Sequence, residues 1–371
     1  MTRRLYAYAW CEDLVLLYPV YALLFAETGL SAAEISSLFV IWSVTAVALE
    51  VPSGLWADVF SRRRLLIIAP LLTAAGYALW TCLPSYPAFA VGFVLWGAGG
   101  ALRSGTLQAL VYEELTRIGA AGAYARVMGR TQAIATTAQL AATALAAPVF
   151  ALGGYPAVGA ASVVVTLLGA VVGRTLPDSR AVAEPGERSF GAVVRDGLGQ
   201  VRRARGAGRA VLLVALVSGV TSLDEYIPLL ARSTGVADTT VPLLVLLVTV
   251  GVVAGGWCAG RGARWAAPVL AVGAVCLAAG TLSGHPAGLV LVAVAFGVFQ
   301  WAMVVADARL QARIADRARA TVTSMAGFGA EVVAVLTFAG YALGSLWAGP
   351  GVIFAVAAVP YLLIAMSDFR Q

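Results

Sequence analysis

Six ionisable side chains fall inside segments otherwise suited to hydrocarbon: Glu12, Asp13, Arg103, Asp224, Glu225 and Glu331. A charge at bilayer depth costs at least a few kcal/mol, so each is a candidate for proton coupling or substrate contact. Carboxyl groups in such places can exchange a proton near neutral pH or hold a cationic solute. Glu12 and Asp13 are adjacent, so they point roughly 100° apart on a helix and only one faces a cavity squarely. The structural alternative is pairing with Arg3, Arg4 or a loop arginine. Arg103 keeps its charge at any physiological pH and needs a carboxylate, carbonyl groups or an anionic ligand. It acts in coupling or forms a static ion pair with Glu12 or Asp13. Asp224 and Glu225 precede Tyr226 and Pro228, and the proline can bend a helix beside them. A solvated place near a membrane face is the plainer reading for that pair. Glu331, just after Gly327 and Gly329 and far from other charges in sequence, is expected near the middle of its segment.

Uncharged candidates are less specific. Tyr18, Trp42, Gln132, Tyr226, Gln300 and Trp301 are expected to line a cavity, with packing or interfacial anchoring as the alternative. No phosphate-binding loop, zinc motif or nucleophile elbow stands at a credible position. Cys11, Cys82, Cys258 and Cys276 are widely spaced, and His285 is the single histidine. No metal, no cofactor and no enzymatic activity are therefore expected.

The elements that must hold these residues are membrane helices. Hydrophobic residues make up 60% of the chain, charged residues 12%, and the mean hydropathy is +0.87, so the solvent is lipid. Apolar segments fall at roughly 5–27, 32–55, 65–84, 87–111, 128–152, 155–176, 210–231, 239–260, 265–283, 286–306, 320–346 and 350–367. An all-α chain of twelve spans results, with bundles at 1–176 and 210–371. Between them, 177–209 reads as a linker with an amphipathic helix along the membrane surface.

The net charge of +6 comes from arginines clustered in alternate connections, not from a basic binding face. This excludes nucleic acid as a partner and places both termini and the arginine-rich loops in the cytoplasm, with the chain in the plasma (inner) membrane. The stretch 307–319 reads as a solvated loop.

The sharpest motif is the segment from Glu50 to Arg64, which reads as a tight charged hairpin between the second and third spans. It resembles the G-x-L-A-D-R-x-G-R-R loop of the major facilitator superfamily: Gly54, Ala57, Asp58, Arg62 and Arg63 match, whereas Trp56, Val59 and Ser61 depart. The segment around Arg103 is similar to the fourth helix of such transporters. Gly256, Ala259 and Arg264 repeat the spacing of Gly54, Ala57 and Arg62, with Gly260 in the place of Asp58.

The resemblance implies two six-helix halves related by a pseudo-two-fold axis and alternating access by rocking of those halves. It makes Asp58, Arg62 and Arg63 a cytoplasmic gate, with Glu113 and Glu114 as ionic partners. It also implies a monomer that moves a small molecule, with protons as the coupling ion. Efflux of small amphipathic compounds is the favoured task, although the drug-antiporter pattern G-P-x-x-G-G survives only in part at Pro148, Gly153 and Gly154. Import of a small polar solute and a non-transporting sensor are the alternatives.

Overall fold

The computed structural model describes residues 1–178, 207–259, 262, 265–313 and 319–367. These form helices and turns with no strand among the described residues. The chain divides into two compact units, Met1–Gly186 and Glu187–Gln371. The expected amphipathic helix of 177–209 lies outside the described residues.

The first unit holds six spans. The first is interrupted: α1a (Thr2–Asp13) and α1b (Tyr21–Glu27) flank a stretch of turns. Then come α2 (Ala32–Val59), α3 (Arg62–Cys82) and α4 (Tyr86–Arg117). The helix Tyr124–Gly173 is broken at Gly153 and Gly154, so its arms, 124–152 and 155–173, are α5 and α6. Gly154 has φ of +60°, a conformation that a side chain at this bend would resist.

Local signals place the helix starts. Ser31 and Glu34 form a reciprocal capping box on α2, and Ser61 caps α3. Pro87 stands in the first turn of α4, where its missing N–H is not needed. The core around α1b is aromatic: Phe25, Phe39, Tyr77, Trp80, Phe89 and Phe93 are all fully or almost fully buried.

The second unit repeats the order. Its first span is again divided, into α7a (Ala207–Thr221), a 3₁₀ turn (Ser222–Tyr226) and α7b (Ile227–Ser233). There follow α8 (Val241–Trp257), α9 (Ala266–Leu282), α10 (Gly288–Arg313), α11 (Arg319–Gly344) and α12 (Pro350–Ser367). Small residues let the helices approach closely, as lipid-embedded packing requires. A Cβ on Gly255 would sit 1.9 Å from the Gly297 carbonyl oxygen, so α8 and α10 touch backbone to backbone.

The architecture is all-α, with twelve helical spans in two six-helix halves. Among the described residues six helical stretches are long and apolar enough to cross a bilayer, α5 and α6 together forming one of them, and α8, α9 and α12 are shorter apolar helices. Neither α1, interrupted after Asp13, nor α4, which carries Arg103, is among them. Three local expectations differ. The first and seventh spans are not continuous. The hairpin from Glu50 to Arg64 is mostly helix, because α2 runs through Pro52 to Val59 and only Phe60 and Ser61 link it to α3. Asp307 is not in a loop, since α10 continues to Arg313 and Asp307 accepts a hydrogen bond from Gln311 one turn on, at 3.3 Å.

Candidate functional site

The break in α1 is the centre of the candidate site. Irregular backbone at membrane depth is tolerated only where protein or a water-filled cavity satisfies its polar groups. Here the Leu17 N–H donates to the Ser162 hydroxyl of α6 at 3.0 Å, and that hydroxyl donates to the Val158 carbonyl at 2.7 Å. Pro19, within the turns, has no N–H to satisfy. The turns are therefore anchored from a neighbouring helix.

Glu12 and Asp13 end α1a at this break. Glu12 Oε2 meets Arg103 Nε of α4 at 3.3 Å, with Glu12 11% and Arg103 38% exposed. The remaining oxygen, Oε1, is buried with no hydrogen-bond partner. It points at α6, where a Cβ on Gly169 would lie 3.5 Å away. Thus the ion pair joins the interrupted first helix to α4. Asp13 is half-buried, and no hydrogen bond or ion pair engages it among the described residues. Its charge reaches Tyr18 and Tyr77 as well as Arg103.

An aromatic wall continues from these charges. Tyr18 stacks on Trp96 with ring centres 5.6 Å apart, and Trp42 lies 5.3 Å from Trp96 at 30°. These three rings are half-buried, whereas Tyr77 and Trp80 behind them are fully buried. Trp96 and Arg103 are seven residues apart, so they share a face of α4 about 10 Å apart along its axis.

The second unit has a matching interruption. Asp224 and Glu225 sit in the 3₁₀ turn, and Pro228 starts α7b. Asp224 is exposed and lies against the backbone N–H groups of Asp224 and Glu225; Glu225 is half-buried. On α10 no ionisable residue precedes Asp307, so this unit has no counterpart of Arg103 there. Thr221, just before the turn, has its hydroxyl 3.2 Å from that of Tyr361. Glu331 is half-buried on α11.

The other expected cavity residues divide among core, recess and surface. Tyr226 is fully buried, stacked on Tyr341 at 3.6 Å and 14°, because the 3₁₀ turn aims it into the unit's core. Trp301 is also buried, and with Gly255, Cys258, Trp265 and Val294 it lines an apolar recess of about 650 Å³. Gln300 is half-buried near Gly256, and Gln132 is exposed on α5.

The residues assigned to a gate form ion pairs within the first unit. Arg62 Nη2 meets Glu113 Oε1 at 2.6 Å. Arg62 is only 5% exposed, and its Nε and Nη1 are buried without a partner. Arg63 pairs with Asp178 at 3.1 Å, and the Ser61 hydroxyl donates to the same carboxylate. Glu114 pairs with Arg117 on its own helix at 2.7 Å, not with the α2–α3 connection. The Asp58 side chain lies outside the described residues.

Sequence reasoning missed Ser162, whereas Trp96 was among the aromatic residues expected to line a cavity. Ser162 and Thr166 are the two small hydroxyls of the apolar helix α6, and nothing in the sequence separates them. Pro19 soon after Glu12 and Asp13 could have marked the first break, as Pro228 marked the second. Among the described residues no cluster of three metal-binding side chains occurs.

Comparison with known proteins agrees with this architecture. The sequence matches no curated protein. Among solved structures, the chain is similar to nucleoside transporter NupG, with TM-score 0.77 and 12% identity over 100% of this chain and 98% of the other. It is similar to an auto-inhibited peptide transporter of the POT family, with TM-score 0.75 and 16% identity over 99% and 95%. A D-xylose-proton symporter follows at TM-score 0.68 and 15% identity, over 99% and 96%. The family model described as Major Facilitator Superfamily matches residues 13–283. That match runs from the break in α1 to the end of α9 and covers most of the chain, which belongs to the Major Facilitator Superfamily of membrane transporters.

Proposed function

We propose that the chain is a secondary active transporter that works by alternating access and couples efflux of small amphipathic compounds to protons. One observation carries the reading: the first helix of each unit is interrupted, and each interruption holds adjacent carboxyl groups. In transporters built from two repeats, interrupted helices at corresponding positions are where substrates and coupling ions bind. Asp13, Asp224 and Glu331 are then the groups that exchange protons, while Glu12 and Arg103 hold the shape of the first site.

The surroundings follow from this reading. The arginine-rich connections and both termini are cytoplasmic in the inner membrane, the working unit is a monomer, and 177–209 forms a surface linker. Asp58, Arg62, Arg63, Glu113 and Glu114 steady the cytoplasmic end of the first unit as a gate. Import of a polar solute is the second reading, favoured by the likeness to a proton symporter.

Proteoliposomes with an imposed pH gradient separate the readings. Efflux coupling moves a fluorescent amphipathic probe against the proton flux, and import coupling moves a solute with it. Replacing Asp13, Asp224 or Glu331 by its amide should cut gradient-driven transport at least tenfold. Transport indifferent both to the gradient and to all three replacements would overturn proton coupling.

A further inference from the structure

We infer that the apolar recess of the second unit holds one acyl chain of an anionic phospholipid, and that Arg261 and Arg264 of the α8–α9 connection supply the positive charge for its headgroup. The inference needs only that the chain spans a membrane. It is independent of the solute carried and of the direction of transport.

The helices make a trough. Among the described residues α8 and α9 each pack along α10 but scarcely on each other. A Cβ on Gly251 would meet the Ala293 carbonyl oxygen, as one on Gly255 would meet that of Gly297, so α8 and α10 run in the same direction with their backbones in contact. The floor of the recess is formed by Ala293, Gly297 and Trp301 of α10, all buried. Its rim is open, since Val250, Val290, Val294 and Trp265 are between 45% and 56% exposed. A rim of such side chains suits hydrocarbon and not a water-filled path.

Length and charge select the occupant. Leu247 and Cys258 mark the ends of the recess on α8, about 16 Å apart along the axis, and Val290 and Trp301 do the same on α10. That is roughly half of the hydrocarbon thickness of about 30 Å, the depth of one leaflet. Gly262 and Trp265 line the end at the α8–α9 connection, where an indole can sit at headgroup level. The sequence has no acid between Asp238 and Asp307, and the two arginines of that stretch, Arg261 and Arg264, both fall in this connection. Asp307, further along α10, accepts a hydrogen bond from Gln311. In the first repeat Arg62 and Arg63 are paired with Glu113 and Asp178, whereas here Gly260 has replaced the acid of the motif. A tail one leaflet long joined to a phosphate matches both features. Because lipid tails are as apolar as the wall, filling the recess adds close packing, and the arginines select the headgroup.

Native mass spectrometry of the purified full-length chain in detergent, titrated with dioleoylphosphatidylglycerol or dioleoylphosphatidylcholine, tests the inference. One phosphatidylglycerol should bind saturably, at least about fivefold tighter than phosphatidylcholine with the same tails. Ala254→Trp puts a ring into the recess from an exposed position and should weaken the first binding event for both lipids by a similar factor. Arg261→Gln combined with Arg264→Gln should instead bring the phosphatidylglycerol affinity down to that of phosphatidylcholine. Bound lipid should also slow maleimide labelling of Cys258 in a variant with Cys11, Cys82 and Cys276 replaced by serine. Thermal stability measured alongside identifies any variant that has merely unfolded, and Val294→Trp then serves as the second blocking variant. Equal affinity of the wild-type chain for the two lipids, or a first binding event that neither blocking variant weakens, overturns the inference. So does a dimer that the blocking variants dissociate, because a second copy of the chain would then be the occupant.

Discussion

The two units interrupt the same helix by different means. In the first, the break after Asp13 is held from outside: Ser162 of α6 takes the Leu17 N–H, and Arg103 of α4 takes Glu12. In the second, the chain continues through Asp224 and Glu225 as a 3₁₀ turn that keeps its own backbone bonding, and Pro228 restarts the helix. One break depends on side chains of other helices, the other mainly on local geometry. A duplicated fold has therefore kept the interruption, with Arg103 of α4 fixed beside the first acid pair and no ionisable residue before Asp307 on the corresponding helix α10. The first unit is built to hold a charged arrangement, and the second to leave Asp224 accessible.

Removing the fixed cation gives the largest expected effect. Arg103→Gln strands Glu12, whose Oε1 already lacks a partner. The expected cost is about 2–3 kcal/mol, below the range for a fully buried pair because Arg103 is 38% exposed. Thermal unfolding in detergent should show it, and Glu12→Gln added to Arg103→Gln should recover most of the loss. In the second unit, Asp224→Asn keeps an acceptor for the same N–H groups and should change stability by less than about 0.5 kcal/mol while lowering transport. Equal destabilisation by Arg103→Gln and Asp224→Asn would erase the distinction.

Helix contacts provide the next comparison. A Cβ on Gly255 would meet backbone, the Gly297 oxygen at 1.9 Å, which cannot move alone. One on Gly97 would meet the Thr45 side chain at 3.1 Å and the Trp42 carbonyl oxygen at 3.3 Å, a crowding that a shift of a few tenths of an ångström relieves. Gly255→Ala should therefore cost about 2 kcal/mol and Gly97→Ala about 1 kcal/mol or less, read as loss of thermal stability.

These differences explain what the sequence could and could not reveal. The twelve spans, the two halves and the turn at Gly153–Gly154 were legible because hydrophobic length and glycine act locally. The pairing of Arg103 with Glu12 was legible as one of few ways to neutralise a buried guanidinium. The direction of Tyr226 was not, since a 3₁₀ turn rotates each residue differently from an α-helix, and periodicity assumes the latter. Nor was Ser162: its partner lies 145 residues away, and nothing in an apolar helix marks which hydroxyl will meet a broken one. The extent of α2 beyond residue 55 was hidden by the charged motif that reads as a hairpin; Pro52 already lay inside the expected span and is tolerated in a membrane helix.

Support of the breaks from other helices allows a finer test. Ser162→Ala leaves the buried Leu17 N–H without its acceptor and should cost about 1–2 kcal/mol. Loss of the hydroxyl also frees the turns between α1a and α1b, so hydrogen exchange at Leu17 and its neighbours should quicken in parallel.

The counterpart in the second unit should be the smallest effect. Tyr361 stacks on Phe299 at 3.7 Å and 5°, and its hydroxyl is 3.2 Å from that of Thr221, at the entrance to the 3₁₀ turn. Tyr361→Phe preserves the stack and removes only this long contact. Thr221 still donates to the Val217 carbonyl of its own helix at 2.6 Å, so no polar group is orphaned. A cost of about 0.5 kcal/mol or less follows, with exchange at 222–226 unchanged. A loss as large as that of Ser162→Ala would mean that the second break, too, is held from another helix. The contrast between the units would then reduce to the single difference that Arg103 makes.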